Sequence, residues 1–300
     1  MKISILSAGS FSGINLSKFF MERGFEVKGM IIDGADKYPN EAADLYRKNN
    51  AEFKHDKISS NESLDFVLKD SDVAINALAL IDVANSITNP FLFHNVNVEW
   101  FLHTLEAIRK NNIGRLIVGS SNHVYGNGLY NPIDENHPLN PTTLYGATKV
   151  AQEKYAISYS NSFGIPVTIL RFSNMYGPHG YGIINLFVNN GKEGKPLVVE
   201  GGSQPRTFTH ASDGANATML SIENKKSIGE AFNVSGPESI TIMELAEIVK
   251  RRYNVEIIQK EARAGDMTDK NYKISFEKAE KILGYEPKIR VADAIEKDLL

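Results

Sequence analysis

Short apolar runs rich in β-branched residues alternate along this chain with longer stretches in which apolar residues return every three or four positions. The first run, Lys2 to Leu6, predicts a buried strand; Ile14, Leu16, Phe19 and Phe20 predict the apolar side of a helix after it. The alternation continues with a strand from Val27 to Ile32 ending in Asp33, a helix near Asn40 to Asn49 and a short strand at Glu52-Phe53-Lys54. A helix near Glu62 to Leu68 and a strand from Asp72 to Asn76 follow. Past Pro90 a long helix carries Val96, Val98, Phe101, Leu102, Leu105 and Ile108, and a strand from Arg115 to Val118 runs into Ser120-Ser121. The segment 122–143 holds Pro132, Pro138 and Pro141 and predicts a long connection before a helix around Tyr145; Ile165 to Arg171 predicts the next strand.

Helices alternating with β-branched runs predict βαβ units, hence an α/β fold of Rossmann type with a doubly wound parallel sheet. Ligands of such sheets bind outside the carboxyl ends of the strands. Ser7, Asp33, Asp56, Asn76 and Ser121 all fall at or just after predicted strand ends. The turn Ser7-Ala8-Gly9-Ser10-Phe11-Ser12-Gly13 joins strand to helix, the layout in which backbone N–H groups and a helix N-terminus meet a pyrophosphate. Asp33, 20 residues after Gly13, either accepts hydrogen bonds from an adenosine ribose and repels a 2′-phosphate, or simply closes a turn with Gly34. Tyr145 and Lys149, four residues apart, share one helix face. An ammonium there favours the phenolate, which predicts a lowered phenol pKa and a general acid/base, with Ser121 holding the substrate oxygen.

Beyond Phe172 the pattern loosens into a Gly/Pro/His segment, shorter elements and scattered cations, which predicts a smaller C-terminal substrate-binding lobe covering the cleft. The helix near Asp213 to Ile222 and the strand near Phe232-Asn233-Val234 are expected to return to the first lobe. The predicted organisation is a dinucleotide-binding domain over 1–171, rejoined by 207–235, and a substrate lobe over 172–300. The net charge of −3, with no run of five like charges, gives no surface for nucleic acid or an anionic membrane. No stretch approaches the ~20 apolar residues of a transmembrane helix, and Met1 to Ser10 is only weakly signal-like. The chain has no cysteine, which excludes disulfides and thiolate metal sites and fits a cytoplasmic enzyme. Apart from His123, its histidines show no metal-ligand spacing.

Several linked motifs carry a resemblance. They are Phe11-Ser12-Gly13; Ser120-Ser121 with Val124-Tyr125-Gly126; Tyr145 with Lys149; and Arg171-Phe172-Ser173-Asn174-Met175-Tyr176-Gly177-Pro178. Further on come Gly202-Ser203-Gln204-Pro205-Arg206-Thr207-Phe208, Asp213, Arg263-Ala264-Gly265-Asp266 and Leu283-Gly284-Tyr285-Glu286-Pro287. In this order the set resembles the extended short-chain dehydrogenases that act on nucleotide-sugars, the NAD-dependent epimerases and dehydratases, from Lys2 to about Asp293. The resemblance implies a catalytic Ser121, Tyr145 and Lys149, with Lys149 also on the nicotinamide ribose. It implies Asp56 facing adenine, Ala77 and Ala79 lining the cofactor, and Asn97 supporting the catalytic lysine. On the substrate it implies Asn174 at the phosphate or sugar, with Arg206 and Arg263 clamping the diphosphate, where a guanidinium fork suits phosphate oxygens. It also implies a homodimer through helices carrying Phe101, Leu105 and Ile108, and Val150, Ala156 and Ile157; these stripes equally suit packing on the sheet.

The chain departs from the pattern in places that matter. Ser7 and Ser10 stand where the loop's first two glycines belong, leaving only Gly13 in register. The acid expected after the second strand aligns with Ile31 rather than Asp33, so NAD is expected and NADP is the alternative. Dehydratases of the family carry an Asp-Glu pair where this chain has Asn122 and His123, which argues against 4,6-dehydration. His123 either touches the sugar near C4 or bonds a backbone group. The leading expectation is a nucleotide-sugar epimerase working at C4 through a transient keto-sugar, with a nucleotide-diphosphate sugar as substrate. A 4-ketosugar reductase using NADPH is the second reading, and a non-catalytic cofactor-binding sensor, suggested by the two serines, is the third.

Overall fold

The structure is a computed structural model that describes residues 1–57, 61–261 and 272–300. β1 (Lys2–Leu6), α1 (Phe11–Met21), β2 (Glu26–Asp33), α2 (Pro39–Lys48), β3 (Phe53–Lys57), α3 (Asn61–Leu68) and β4 (Val73–Asn76) open the chain. α4 (Val83–Thr88) and α5 (Pro90–His94) lead through a π-turn, Asn95–Glu99, into α6 (Trp100–Lys110). β5 (Arg115–Ser121), a 3-10 helix (Asn122–Tyr125), α7 (Leu144–Phe163) and β6 (Val167–Phe172) follow. The remainder is β7 (Asn174–Tyr176), α8 (Ile183–Lys192), β8 (Leu197–Glu200), β9 (Pro205–His210), α9 (Ala211–Glu223), β10 (Ala231–Val234), β11 (Ser239–Thr241), α10 (Ile242–Tyr253), β12 (Ile257–Lys260), α11 (Glu277–Leu283) and α12 (Val291–Glu296).

The main sheet has seven strands in the order β10-β6-β5-β4-β1-β2-β3. β1 pairs in parallel with β2 on one side and β4 on the other, so chain order reverses at β1. In sheets of this order ligands bind at the carboxyl ends of the strands beside the reversal, here β1 and β4, where Leu6 stands opposite Asn76. Strands buried on both faces need apolar residues at successive positions, and Ile3, Ile5 and Leu6 are fully buried, as are Met30, Ile31 and Ile32. The sheet matches the predicted doubly wound fold; the expected short third strand extends to Lys57, and the connection after Ser121 begins with the 3-10 helix.

The described residues form two compact units. The first is residues 1–126, 138–171 and 217–232; the second is 127–137, 172–216 and 233–300. The segment that rejoins the first unit is therefore shorter than 207–235. Residues 127–137, expected with the first lobe, pack with the second, where Ile133 bridges Ile274 and Glu135 accepts from the Asn233 N–H at 2.7 Å. In the first unit, Phe101, Leu105 and Ile108 lie in the core beside Leu64 and Val118. Their stripe is thus sheet packing, the second of the two uses the sequence allowed. The second unit has its own core, in which Phe187, Leu197, Leu245, Val249 and Ile295 meet. Among the described residues no helix is long and apolar enough to cross a membrane.

Candidate active site

The loop after β1 is built from hydroxyls and one carboxylate. Ser10 caps α1: its Oγ accepts from the Gly13 N–H at 3.0 Å and donates to the Ser7 carbonyl at 2.7 Å. Gly13 has no alternative here, because a Cβ would sit 2.0 Å from the Ser7 oxygen; the missing side chain lets helix and strand pack. Ser7 adopts a left-handed φ of 69°, a conformation glycine takes without cost. Its hydroxyl donates to Asp36, a residue in the turn after β2. The other Asp36 oxygen accepts from the Gly9 and Ile32 N–H groups, each at 2.9 Å. Burial raises the Asp36 carboxyl above the usual range, with these three donors pulling the other way. Asp33, expected at the ribose or in a turn, is exposed and bonds His55 Nε2 at 2.6 Å. The carboxylate held against the loop is Asp36, which sequence reasoning missed; Asp56, in β3 itself, accepts from Ser63 Oγ at 2.6 Å.

At the end of β5 the predicted hydroxyl, phenol and amine come together. Thr143 caps α7 by accepting from the Gly146 N–H at 3.0 Å. A Cβ on Gly146 would lie 2.6 Å from the His123 carbonyl, so this glycine lets the first turn of α7 close on the 3-10 helix after Ser121. Tyr145 and Lys149 point inward from that helix and are 6% and 2% exposed. Burial pushes the Tyr145 phenol up to about 12, against a hydrogen bond with Ser121 that lowers it. Burial also takes Lys149 down to about 7, although the Glu153 carboxylate one turn further on favours its charge. The lowered phenol expected from the Tyr145/Lys149 spacing is thus reversed. Burial outweighs the Ser121 hydrogen bond at the phenol and the pull of Glu153 at the amine. The His123 ring meets the Tyr145 ring edge-on at 5.5 Å, and its backbone N–H donates to Ser121 Oγ at 3.3 Å.

A buried polar scaffold holds this set. Lys149 Nζ donates to Gln152 Oε1 at 2.5 Å, and Gln152 Nε2 donates to the Asn97 carbonyl at 2.7 Å. Asn97 sits in the π-turn, and its amide binds Leu80 at both backbone atoms, 2.8 and 3.0 Å, and Thr148 Oγ1 at 2.9 Å. Asn97 is therefore linked to Lys149 through its main chain by way of Gln152, while its side chain ties the segment after β4 to α7. Glu153 is fully buried, receives Ser120 Oγ at 2.5 Å and pairs with Arg171 through Nε and Nη2 at 3.0 and 2.8 Å. Arg171 Nη1 reaches Tyr125 Oη at 2.9 Å. Gln152 was visible in principle, since it falls seven residues after Tyr145 on the same helical face.

In the second unit Asn174 lies on β7 opposite Phe208 of the parallel strand β9, which also carries Arg206. Asn174 Nδ2 donates to the Thr207 carbonyl at 3.2 Å, and the buried Thr207 hydroxyl has no partner among the described residues. Arg206 Nη1 donates to the Pro205 carbonyl at 2.9 Å. Arg263 lies outside the described residues. Among the described residues no group of histidine and acidic side chains could hold a metal ion.

The residues beside β1 and β4 suit a dinucleotide. α1 has no acidic side chain in its first turn, so nothing on the helix offsets the positive end of its dipole. Ala77 and Ala79, small and half-buried, follow β4, and both amide atoms of the buried Asn76 are without partners among the described residues. A strand order that reverses at β1, a tight first loop and a buried serine, tyrosine and lysine near the end of β5 are the layout of the short-chain dehydrogenase class. The chain belongs to the NAD dependent epimerase/dehydratase family, whose model matches residues 5–235. A putative UDP-glucose 4-epimerase from Methanocaldococcus jannaschii is 34% identical over 248 residues, 79% of this chain and 78% of that protein. The crystal structure of a UDP-glucuronic acid 4-epimerase from Bacillus cereus, in complex with UDP-glucuronic acid and NAD, is similar at a TM-score of 0.89 and 25% identity, covering 99% and 97% of the two chains. A UDP-glucose 4-epimerase from Thermotoga maritima matches at the same score and identity, over 99% of this chain and 96% of that one.

Proposed function

We propose that this protein is an NAD-dependent nucleotide-sugar 4-epimerase with Tyr145 as its acid/base. The observation that supports the reading is the buried hydrogen bond between Ser121 and Tyr145 at the end of β5, with Lys149 buried one turn further along the same helix. Bound NAD would supply the hydride acceptor and donor, along with a positive ring charge. Tyr145 Oη would take the proton of the sugar hydroxyl and return it to the carbonyl oxygen once the opposite face is presented. Ser121 Oγ would hold that oxygen in place. A phenol raised to about 12 is a poor base by itself; cationic charge nearby favours the phenolate, and Lys149 contributes such charge whenever it is protonated.

Neither Asn122 nor His123 is a carboxylic acid, so the carboxylate pair that performs a 4,6-dehydration in the family is absent after Ser121, which argues against that reaction. The His123 ring packs on Tyr145, which favours its contact with the sugar. Asn174, Arg206 and Arg263 are the proposed partners of the nucleotide-sugar. Asp56, Ala77 and Ala79 are proposed for the cofactor, with Asp36 in the place first expected of Asp33. UDP-glucose and UDP-glucuronate, the sugars named for the relatives above, are the first substrates to try. The reading includes a cytoplasmic homodimer; its interface would use the outward sides of α6 and α7, the latter exposing Ile157 and Phe163. Sedimentation at micromolar concentration tests the dimer.

Tyr145→Phe tests the mechanism: kcat is expected to fall by ~100-fold or more with the fold intact. A variant that interconverts either sugar at the wild-type rate overturns the reading. Cofactor retained through purification, with no net consumption during turnover, is expected as well. NADPH consumed in step with product would point instead to a ketosugar reductase.

A further inference from the structure

Gln152 is 1% exposed, and both ends of its amide are engaged. The carbonyl end receives the Lys149 ammonium at 2.5 Å, and the amino end donates to the Asn97 carbonyl at 2.7 Å. This dictates the side chain's orientation, because only the amino end can donate to a carbonyl. It also dictates the residue type. Glutamate would set an oxygen against the Asn97 oxygen; an aliphatic residue would leave the ammonium and the Asn97 carbonyl facing apolar atoms in a dry interior. The Asn97 carboxamide is itself occupied by Leu80 and Thr148 and cannot serve Lys149 directly.

We propose that Gln152 is a positioning residue for the catalytic lysine: it aims Nζ and, through the negative end of its amide dipole, keeps the proton on it. The inference rests on the assignment of Lys149 to the active site. The setting makes one acceptor count. Burial holds Lys149 down to about 7, far below its ordinary value, so an acceptor on its ammonium bears directly on its charge. The groups packed around it offer little other help. On its own helix Glu153 favours the charge but is itself tied to Arg171 and Ser120, and Tyr145 is held neutral by burial. From β5 come the uncharged Ser120 and Ser121, from the 3-10 helix His123 faces the phenol, and from the π-turn comes the Asn97 carbonyl through Gln152. Gln152 is then the neutral side chain that decides how much of the ammonium survives at working pH.

The test is a direct titration of Lys149 by NMR on the NAD-loaded protein labelled with 13Cε-lysine, the resonance being assigned by its loss in Lys149→Met. Gln152→Met, similar in length and apolar, is expected to bind the Lys149 proton about tenfold more weakly than the wild type. Gln152→Glu, with a full negative charge in the same place, is expected to bind it more tightly. If Gln152→Met fails to fold, Gln152→Asn replaces it: its shorter amide cannot span both partners, and the same weakening is expected. A Met or Asn variant whose Lys149 titrates with the wild-type midpoint overturns the proposal. Because the readout needs no turnover, it is separate from the Tyr145→Phe experiment: either inference can fail while the other stands.

Discussion

The loop after β1 and the segment from β5 to α7 both deliver polar groups to the carboxyl ends of strands in one sheet, but by different means. In the second, helix geometry does most of the arranging. Thr143 starts the helix, Gly146 lets it come close, and the spacing of Tyr145, Lys149 and Gln152 puts all three on one face. In the first, no regular element sets the geometry. Ser7 holds a left-handed backbone, and the carboxylate that steadies it comes from Asp36, 29 residues away in another turn. A site carried by a helix keeps its residue pattern because the pattern is its geometry. A site made of loop can exchange its residues provided a partner elsewhere changes with them.

Three single substitutions, the second also combined with Ser7→Gly, probe that contrast in decreasing order of effect. Lys149→Met is expected to abolish turnover while stabilising the fold. The folded pKa of Lys149, about 7, lies below its ordinary 10.5, so the unfolded chain holds this proton more tightly and the buried ammonium costs stability at neutral pH. Thermal or urea denaturation at pH 7 should show a gain on the order of 3 kcal/mol. The gain should shrink as pH rises from 7 toward 10.5, because wild-type stability recovers over that window; a variant less stable than wild type at pH 7 contradicts the burial argument. Asp36→Ala removes the acceptor of Ser7, Gly9 and Ile32 and is expected to cost ~2 kcal/mol and to weaken NAD binding by calorimetry. Adding Ser7→Gly should recover part of that loss, since glycine needs no latch at this backbone angle; no recovery would mean that Asp36 does not compensate for the serine. Thr143→Ala should cost about 1 kcal/mol of melting stability, the usual value of a lost N-cap. It should leave NAD affinity unchanged, and a drop in that affinity would tie the two regions together.

Periodicity was enough to read the strands and the helices of the main sheet, because burial on both faces and a 3.6-residue repeat leave plain traces in apolar spacing. The placement of Ser121, Tyr145 and Lys149 was legible for the same reason: two share a helix face and the third ends a strand. What escaped notice depended on distance along the chain. Nothing local in Asp36 tells that it bonds Ser7, and Asp33 was the nearer carboxylate to the strand end. The direction of the Tyr145 shift was misread because sequence spacing reveals a neighbouring charge but not how dry the surroundings are. Residues 127–137 were misplaced because a proline-rich connection carries no pattern showing which core it packs on.

The π-turn at Asn95–Glu99 makes chain length part of the scaffold under Lys149. One residue more than an α-helix would hold is folded into it, which sets α5 and α6 out of phase by ~100°, the rotation of one helical residue. Deleting any single residue there would let the two helices merge into one continuous rod. Asn97 would then swing away from Leu80 and Thr148, and the carbonyl beneath Gln152 would swing with it. At this point in the protein the number of residues shapes that scaffold as much as their identity.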